Sequence, residues 1–138
     1  MKMINVTPHN ITVLRCDKLT AGECGGHNCK SCEFGKIENI ENCGITISAT
    51  IEEDFHSKKG NVELYTVNYV PNQLSKEQLY ELEEELCYGS EGFVIVGSII
   101  TAQAFPERVC AMVPVPGFER VPPEEKLVRT DKFTVFKG

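Results

Sequence analysis

Apolar and polar residues alternate through Ile4-Asn5-Val6-Thr7-Pro8-His9-Asn10-Ile11-Thr12-Val13-Leu14, a period of two that predicts an N-terminal strand. Pro8 has no N–H to give to a ladder, which places this strand at a sheet edge or puts a bulge there. Residues 45–51 and 62–70 alternate in the same way, and the polar link Lys58-Lys59-Gly60-Asn61 between them suits a hairpin. Pro71-Asn72 ends the second of these strands. Ser75 followed by Gln78 forms a capping box ahead of Leu79, Leu82 and Leu86, which share one helical face, and Gly89 supplies the stop. The spacing therefore predicts a main helix over about residues 75–88. Phe93-Val94-Ile95-Val96 is a short, continuously apolar strand, and Ser98 can cap a short helix over about 98–105 that Pro106 limits. Further apolar stretches at 109–113 and 133–136 flank a Pro-Val-Pro-Gly turn at 114–117 and a Pro122-Pro123 loop. Strands grouped before and after one main helix predict an α+β fold with a mostly antiparallel sheet, and no internal repeat interrupts it.

With 138 residues, 41% of them hydrophobic and 25% charged, the chain suits a single globular domain, residues 1–138, with a core that needs no disulfides. No apolar run approaches the ~20 residues that span a bilayer, and the first eight residues hold no apolar signal core. The expectation is a soluble protein of the cytoplasm. The net charge of −6 argues against a general nucleic-acid coat, yet it is unevenly spread. Residues 1–107 carry 8 basic and 16 acidic side chains, whereas residues 108–138 carry 6 basic and 4 acidic. An anionic ligand is accordingly sought near Arg108, Arg120, Lys126, Arg129 and Lys132.

Periodicity disappears between Cys16 and Gly44, a segment that holds five of the seven cysteines and reads as a cysteine-rich insertion after the first strand. Cys29 and Cys32 form a Cys-x-x-Cys knuckle able to grip one tetrahedral zinc, with Cys24 and either Cys16 or Cys43 completing the set. Such an ion would give order to a loop without a core, and four thiolates would leave it no open position for catalysis. Reduced thiols in a flexible loop and a redox pair are the competing readings. Cys87 and Cys110, in apolar surroundings, read as buried thiols.

The histidines, His9, His27 and His56, stand in no nucleophile or metalloprotease motif, and there is no glycine-rich phosphate loop. His9 reads as a cap or strand-edge hydrogen bond rather than a general base. Arg108 and Arg129 are the better chemical pair, because a guanidinium fork meets phosphate with two parallel hydrogen bonds and keeps its charge. The competing reading is a pair of surface salt bridges with Glu107 and Asp131 as neighbours. Tyr80, Tyr88, Phe93, Phe105 and Phe118 could stack on a base, although most of them should belong to the core.

Three parts of the chain carry a family likeness: Ile4-Asn5-Val6-Thr7-Pro8-His9-Asn10-Ile11, the central stretch from Gly92 to Ala104, and Arg108 with Pro116-Gly117 and Val128-Arg129. Together they resemble small phage proteins, the Thoeris anti-defence proteins of the first type. These act as sponges that sequester nucleotide immune signals, glycocyclic ADP-ribose and in some members cyclic trinucleotides, without cleaving them. The resemblance implies a non-catalytic binder in the host cytoplasm with Arg108 and Arg129 on the ligand's phosphates and an aromatic such as Tyr88 or Phe93 near its base. It implies no required cofactor, a structural zinc on Cys24, Cys29, Cys32 and Cys43 being an independent expectation, and assembly as a homodimer or hexamer. Gly97, Thr101 and Thr130 depart from the family pattern, and the insertion has no counterpart in it. From other classes, the sequence also permits a nucleotide-cleaving phosphodiesterase using His9 or His56, and a zinc-stabilised interaction module without a small ligand.

Overall fold

A computed structural model of the chain describes residues 2–16, 35–89 and 91–138. Its strands are β1 (Lys2–Asn5), β2 (Ile11–Cys16), β3 (Gly35–Ile40), β4 (Ala49–Lys59), β5 (Val62–Pro71), β6 (Phe93–Gly97), β7 (Cys110–Pro114) and β8 (Val128–Thr134). Helix α1 spans Gln73–Cys87, helix α2 spans Ile99–Ala104, and a single 3-10 turn covers Pro123–Glu125. The fold is α+β, and among the described residues no helix is long and apolar enough to cross a membrane.

Six strands form one sheet in the order β1-β6-β7-β8-β2-β3, while β4 and β5 form a separate two-stranded ribbon. The six-stranded sheet is mixed, which corrects the expectation of a mostly antiparallel one. β6 lies parallel to both β1 and β7, and β8 lies parallel to β2, whereas β7 with β8 and β2 with β3 run antiparallel. Alternation reports which side chains are buried but not which way a neighbouring strand runs. The continuous apolar run of β6 is the pattern of a strand with parallel neighbours on both sides. The two outer strands approach each other through a parallel bridge between Asn5 and Asn42, so the sheet curls almost into a barrel.

Two of the three apolar clusters among the described residues lie at this sheet. One is drawn from all six strands and gathers Met3, Ile11, Val13, Ile40, Val94, Val96, Met112, Val128 and Phe133. The other joins Ile4, Val6, Ile95 and Ala111 of the sheet region to Leu79 and Leu82 of α1 and to Ala102, Ala104 and Phe105 at α2. Phe105 is the largest fully buried side chain among the described residues and lies just beyond α2. Burying an aromatic of this size contributes about 2–3 kcal/mol, so the short helix is held by its packing more than by its own hydrogen bonds.

The N-terminal alternation divides into two strands instead of one. β1 and β2 occupy different places in the sheet, and Thr7-Pro8-His9 is the turn between them. Pro8 stands where no ladder partner is required. Asn72, not Ser75, caps α1: its side-chain oxygen accepts the Ser75 N–H at 3.2 Å. Ser75 is buried and its hydroxyl oxygen accepts the Ser48 N–H at 2.9 Å, tying the helix to the base of the ribbon. Ser98 caps α2 as expected, accepting from the Thr101 N–H. β3 falls inside the segment read as an insertion, and Cys87 is exposed at the end of α1 instead of buried.

Candidate functional site

A cleft of roughly 900 Å³ opens between the Thr7-Pro8-His9 turn and the start of α2. Ile11, Ala111, Met112 and Val128 contribute sheet residues to its lining, Ile47 and Ser48 come from the segment before β4, and Phe118, Lys126 and Leu127 come from the C-terminal region. This size and this mixture, a mostly apolar surface with hydroxyl, amide and imidazole groups, one ammonium at Lys126 and one carboxylate at Glu119, suit a ligand of nucleotide dimensions.

Asn5 fixes the first wall. It is 1% exposed, its Oδ1 accepts the Thr7 N–H at 2.8 Å, and its Nδ2 donates to the carbonyls of His9 at 2.8 Å and Ile40 at 2.9 Å. The Thr7 hydroxyl sits 2.7 Å from the same Asn5 oxygen and 2.8 Å from the His9 carbonyl. Asn42 reaches in from behind, its Nδ2 donating to the Thr7 carbonyl at 2.8 Å. The backbone N–H and carbonyl of both Thr7 and His9 are thereby offered side-chain partners, which is what allows the turn to be buried at one end.

The second wall is fixed through Thr101, 4% exposed, whose hydroxyl lies 3.0 Å from Ser98 Oγ and donates to the Ile47 carbonyl at 3.3 Å. Gly97 precedes this helix because nothing larger fits. A Cβ there would stand 2.8 Å from Val109 Cγ1, a fully buried side chain. Ile99 and Ile100 face outward from α2, 58% and 40% exposed, and line the cleft together with Ile51 at the base of the ribbon.

Arg108 and Arg129 occupy other surroundings. Arg108 Nε donates to Glu83 Oε1 of α1 at 3.1 Å, Nη2 donates to the same oxygen, and the guanidinium lies 5.9 Å from the Phe105 ring centre. It borders a smaller groove, about 370 Å³, with Gln73, Lys76, Glu77, Tyr80 and Glu81 of α1. Arg129, on β8, holds Asp131 in a two-pronged contact, Nε to Oδ1 and Nη2 to Oδ2, both at 2.8 Å. That hydrogen-bonded carboxylate pushes the Arg129 pKa above its already high ordinary value, outweighing a small opposing effect of burial. Val128 lines the cleft, while the alternation of the strand turns Arg129 to the opposite face. The cleft therefore collects neither arginine. The partner of Arg108 is Glu83 rather than its chain neighbour Glu107, and that of Arg129 is the expected Asp131.

Tyr88 caps the end of α1 at 86% exposure, and Phe93 is half-buried against the helix-side cluster. Phe118 is the aromatic of the five considered that lines the cleft. Of the expected zinc ligands, Cys24, Cys29 and Cys32 lie outside the described residues. Cys43 is exposed beyond the far end of β3, its N–H donating to the Asn5 carbonyl, whereas Cys16 pairs with Gly35 at the insertion's neck. The six-residue length of β3 separates the two ends of that hairpin by about 20 Å. His56 lies out on the ribbon next to its bulge, and His9 lines the cleft.

The cleft was only half visible in the sequence. Thr7, Pro8, His9, Ser98 and Thr101 lie in segments that the pattern singles out, but their convergence depends on β1 and β6 being neighbours, and strand order leaves no local trace. Lys126 and Phe118 enter through the C-terminal loops, where a cationic and an aromatic residue beside a Pro-Gly turn and a Pro-Pro pair are the only signal. Compared with protein-family models, curated proteins and solved structures, the chain matches none.

Proposed function

We propose that this protein is a non-catalytic sponge for a cyclic nucleotide immune signal, glycocyclic ADP-ribose in the first instance and cyclic trinucleotides as a second ligand class. One observation carries the reading. Thr7-Pro8-His9 and Ser98-Ile99-Ile100-Thr101, far apart in sequence and both within the stretches that resemble the sponge family, form two walls of the same nucleotide-sized cleft. The apolar walls and Phe118 would take base and ribose, with Lys126 and His9 as polar groups at the lining. The resemblance would put Arg108 and Arg129 on the phosphates, but both lie outside this cleft on their own carboxylates, so a ligand seated here would meet Lys126 and His9 instead.

Calorimetric titration with glycocyclic ADP-ribose and with a cyclic trinucleotide tests this, followed by heating and chromatography of whatever was bound. The expected result is tight binding, release of unaltered ligand, loss of affinity in Ile100→Trp, which narrows the cleft, and in Lys126→Ala, and wild-type binding in Arg108→Ala/Arg129→Ala. No binding of either ligand overturns the reading. The imidazole of His9 at the cleft supports a second reading, hydrolysis of a phosphodiester by acid–base catalysis, and recovery of a linearised product would establish it instead.

A further inference from the structure

The chain between β7 and β8, residues 115–127, forms one side of the cleft. Among the described residues of the lining, the one ammonium (Lys126), the one carboxylate (Glu119) and the one phenyl ring (Phe118) all belong to it. The remaining walls contribute chiefly aliphatic side chains and hydroxyls, together with the His9 imidazole. The two ends of this segment stand on one rung, where the Val115 N–H donates to the Leu127 carbonyl at 2.9 Å. Both feet are buried, and they pack with Leu14 in a cluster separate from the two at the sheet.

Two turns rise from that rung. In the first, the Val115 carbonyl accepts the Phe118 N–H at 2.9 Å across Pro116 and Gly117, and Gly117 takes the positive φ of 96° that the third position of a type II turn demands. Glu119 Oε2 accepts the Gly117 N–H at 2.9 Å, so a carboxylate at the lining holds the turn from which Phe118 emerges. In the second, the Pro122 and Pro123 carbonyls accept the Glu125 and Lys126 N–H groups at 2.9 and 3.4 Å, which sets Lys126 at the turn's exit. Adjacent ends, a packing cluster of its own and hydrogen bonds closed on itself are the marks of an Ω-loop.

We propose that this loop is the recognition element of the cleft, choosing a ligand that carries a planar ring beside one anionic group, and that Glu119 positions Phe118 for it. The proposal rests on the reading of this cleft as the ligand site. Unlike Arg108 and Arg129, Lys126 has no carboxylate partner among the described residues. A phenyl ring stacks on any planar ring and a single ammonium meets one anionic centre, while the acceptor-only carboxylate of Glu119 repels a second. The aliphatic walls exclude water without sorting ligands by charge.

Fluorescence titration with 8-anilinonaphthalene-1-sulfonate, an aromatic monoanion, and with its uncharged parent N-phenyl-1-naphthylamine tests the proposal. Neither probe carries phosphate or ribose, so the result does not depend on a nucleotide being the natural ligand. Wild type should bind the sulfonate at one site, and Ile100→Trp should weaken both probes, which assigns them to the cleft. Lys126→Gln should lower the ratio of sulfonate to neutral-probe affinity about tenfold. Phe118→Ala should weaken both probes about tenfold. Glu119→Ala and Glu119→Gln remove the same charge, but only glutamine keeps an acceptor for the Gly117 N–H, so alanine should bind both probes about fivefold more weakly than glutamine. A wild type that does not bind the sulfonate, binding that Ile100→Trp leaves intact, or a ratio unmoved by Lys126→Gln overturns the proposal. Equal affinities in the two Glu119 variants overturn the positioning role. The expected probe pattern in a protein that binds neither cyclic nucleotide would sink the sponge reading and leave the role of the loop standing.

Discussion

Asn5 and Asn42 meet in a parallel bridge that joins the first strand of the sheet to the chain just beyond the last, and each then sends its side chain into the same turn at Thr7. The closure of the sheet and the shape of the cleft's first wall are thus one construction. Replacing Asn5 by alanine strands the buried Thr7 N–H and takes a donor from the part-buried Ile40 and His9 carbonyls, the second of which keeps the Thr7 hydroxyl. The expected loss is about 3 kcal/mol, read as a fall in the midpoint of urea unfolding with an unchanged slope. Asn5→Asp should be worse than alanine at neutral pH, since it keeps the acceptor but buries a charge in place of the donor.

Gly97→Ala should destabilise by about 1–2 kcal/mol, because the new Cβ would stand only 2.8 Å from Val109 Cγ1 and that fully buried side chain cannot give way without leaving its own rotamer. The companion substitution Val109→Ala in the same chain should recover part of that loss. A double-mutant cycle by thermal unfolding checks the coupling.

Glu83 occupies the guanidinium of Arg108. Glu83→Ala removes a half-exposed ion pair, so the stability cost should stay at or below about 1 kcal/mol and shrink further in high salt. Because Arg108 lies outside the cleft, the same variant should leave the affinity for glycocyclic ADP-ribose unchanged. Thermal unfolding reads the first effect and titration calorimetry at low salt the second.

Burial pushes the Cys110 thiol above its ordinary pKa, whereas Cys43 and Cys87 are exposed. A raised pKa means a smaller thiolate fraction at any pH below it, so iodoacetamide at pH 8 should modify Cys43 and Cys87 well before Cys110. Raising the pH should quicken Cys110 last. Peptide mapping by mass spectrometry at timed quenches follows each site separately.

Local pattern was informative wherever the burial of one face decides the structure. The second strand of the β4–β5 hairpin, the two helices and the Ser98 cap were legible, although β4 runs over Ala49–Lys59 rather than 45–51 and the cap of α1 shifts from Ser75 to Asn72 because the Ser75 hydroxyl is engaged by Ser48 of another segment. Strand direction and order were not legible: β1 and β2 look continuous in sequence, and only the buried Asn5 network shows why the chain turns between them. β3 escaped notice because Ile37 is 67% exposed and the strand sits at an edge, where no alternation is enforced. Arg108 and Arg129 were recognisable as ion-pairing groups, yet the identity of Glu83 as a partner depends on how α1 packs beside α2.

Cys16 stands opposite Gly35 in the last rung of the β2–β3 ladder, so the chain leaves and re-enters the sheet about 5 Å apart. A frame closed at that rung does not need any particular length of chain beyond it, since each doubling of a loop costs only about 0.6 kcal/mol. The rung is therefore a port: a short turn, a peptide tag or a whole foreign domain with adjacent termini could be spliced between these two residues while the cleft, at the opposite end of the hairpin, keeps its walls.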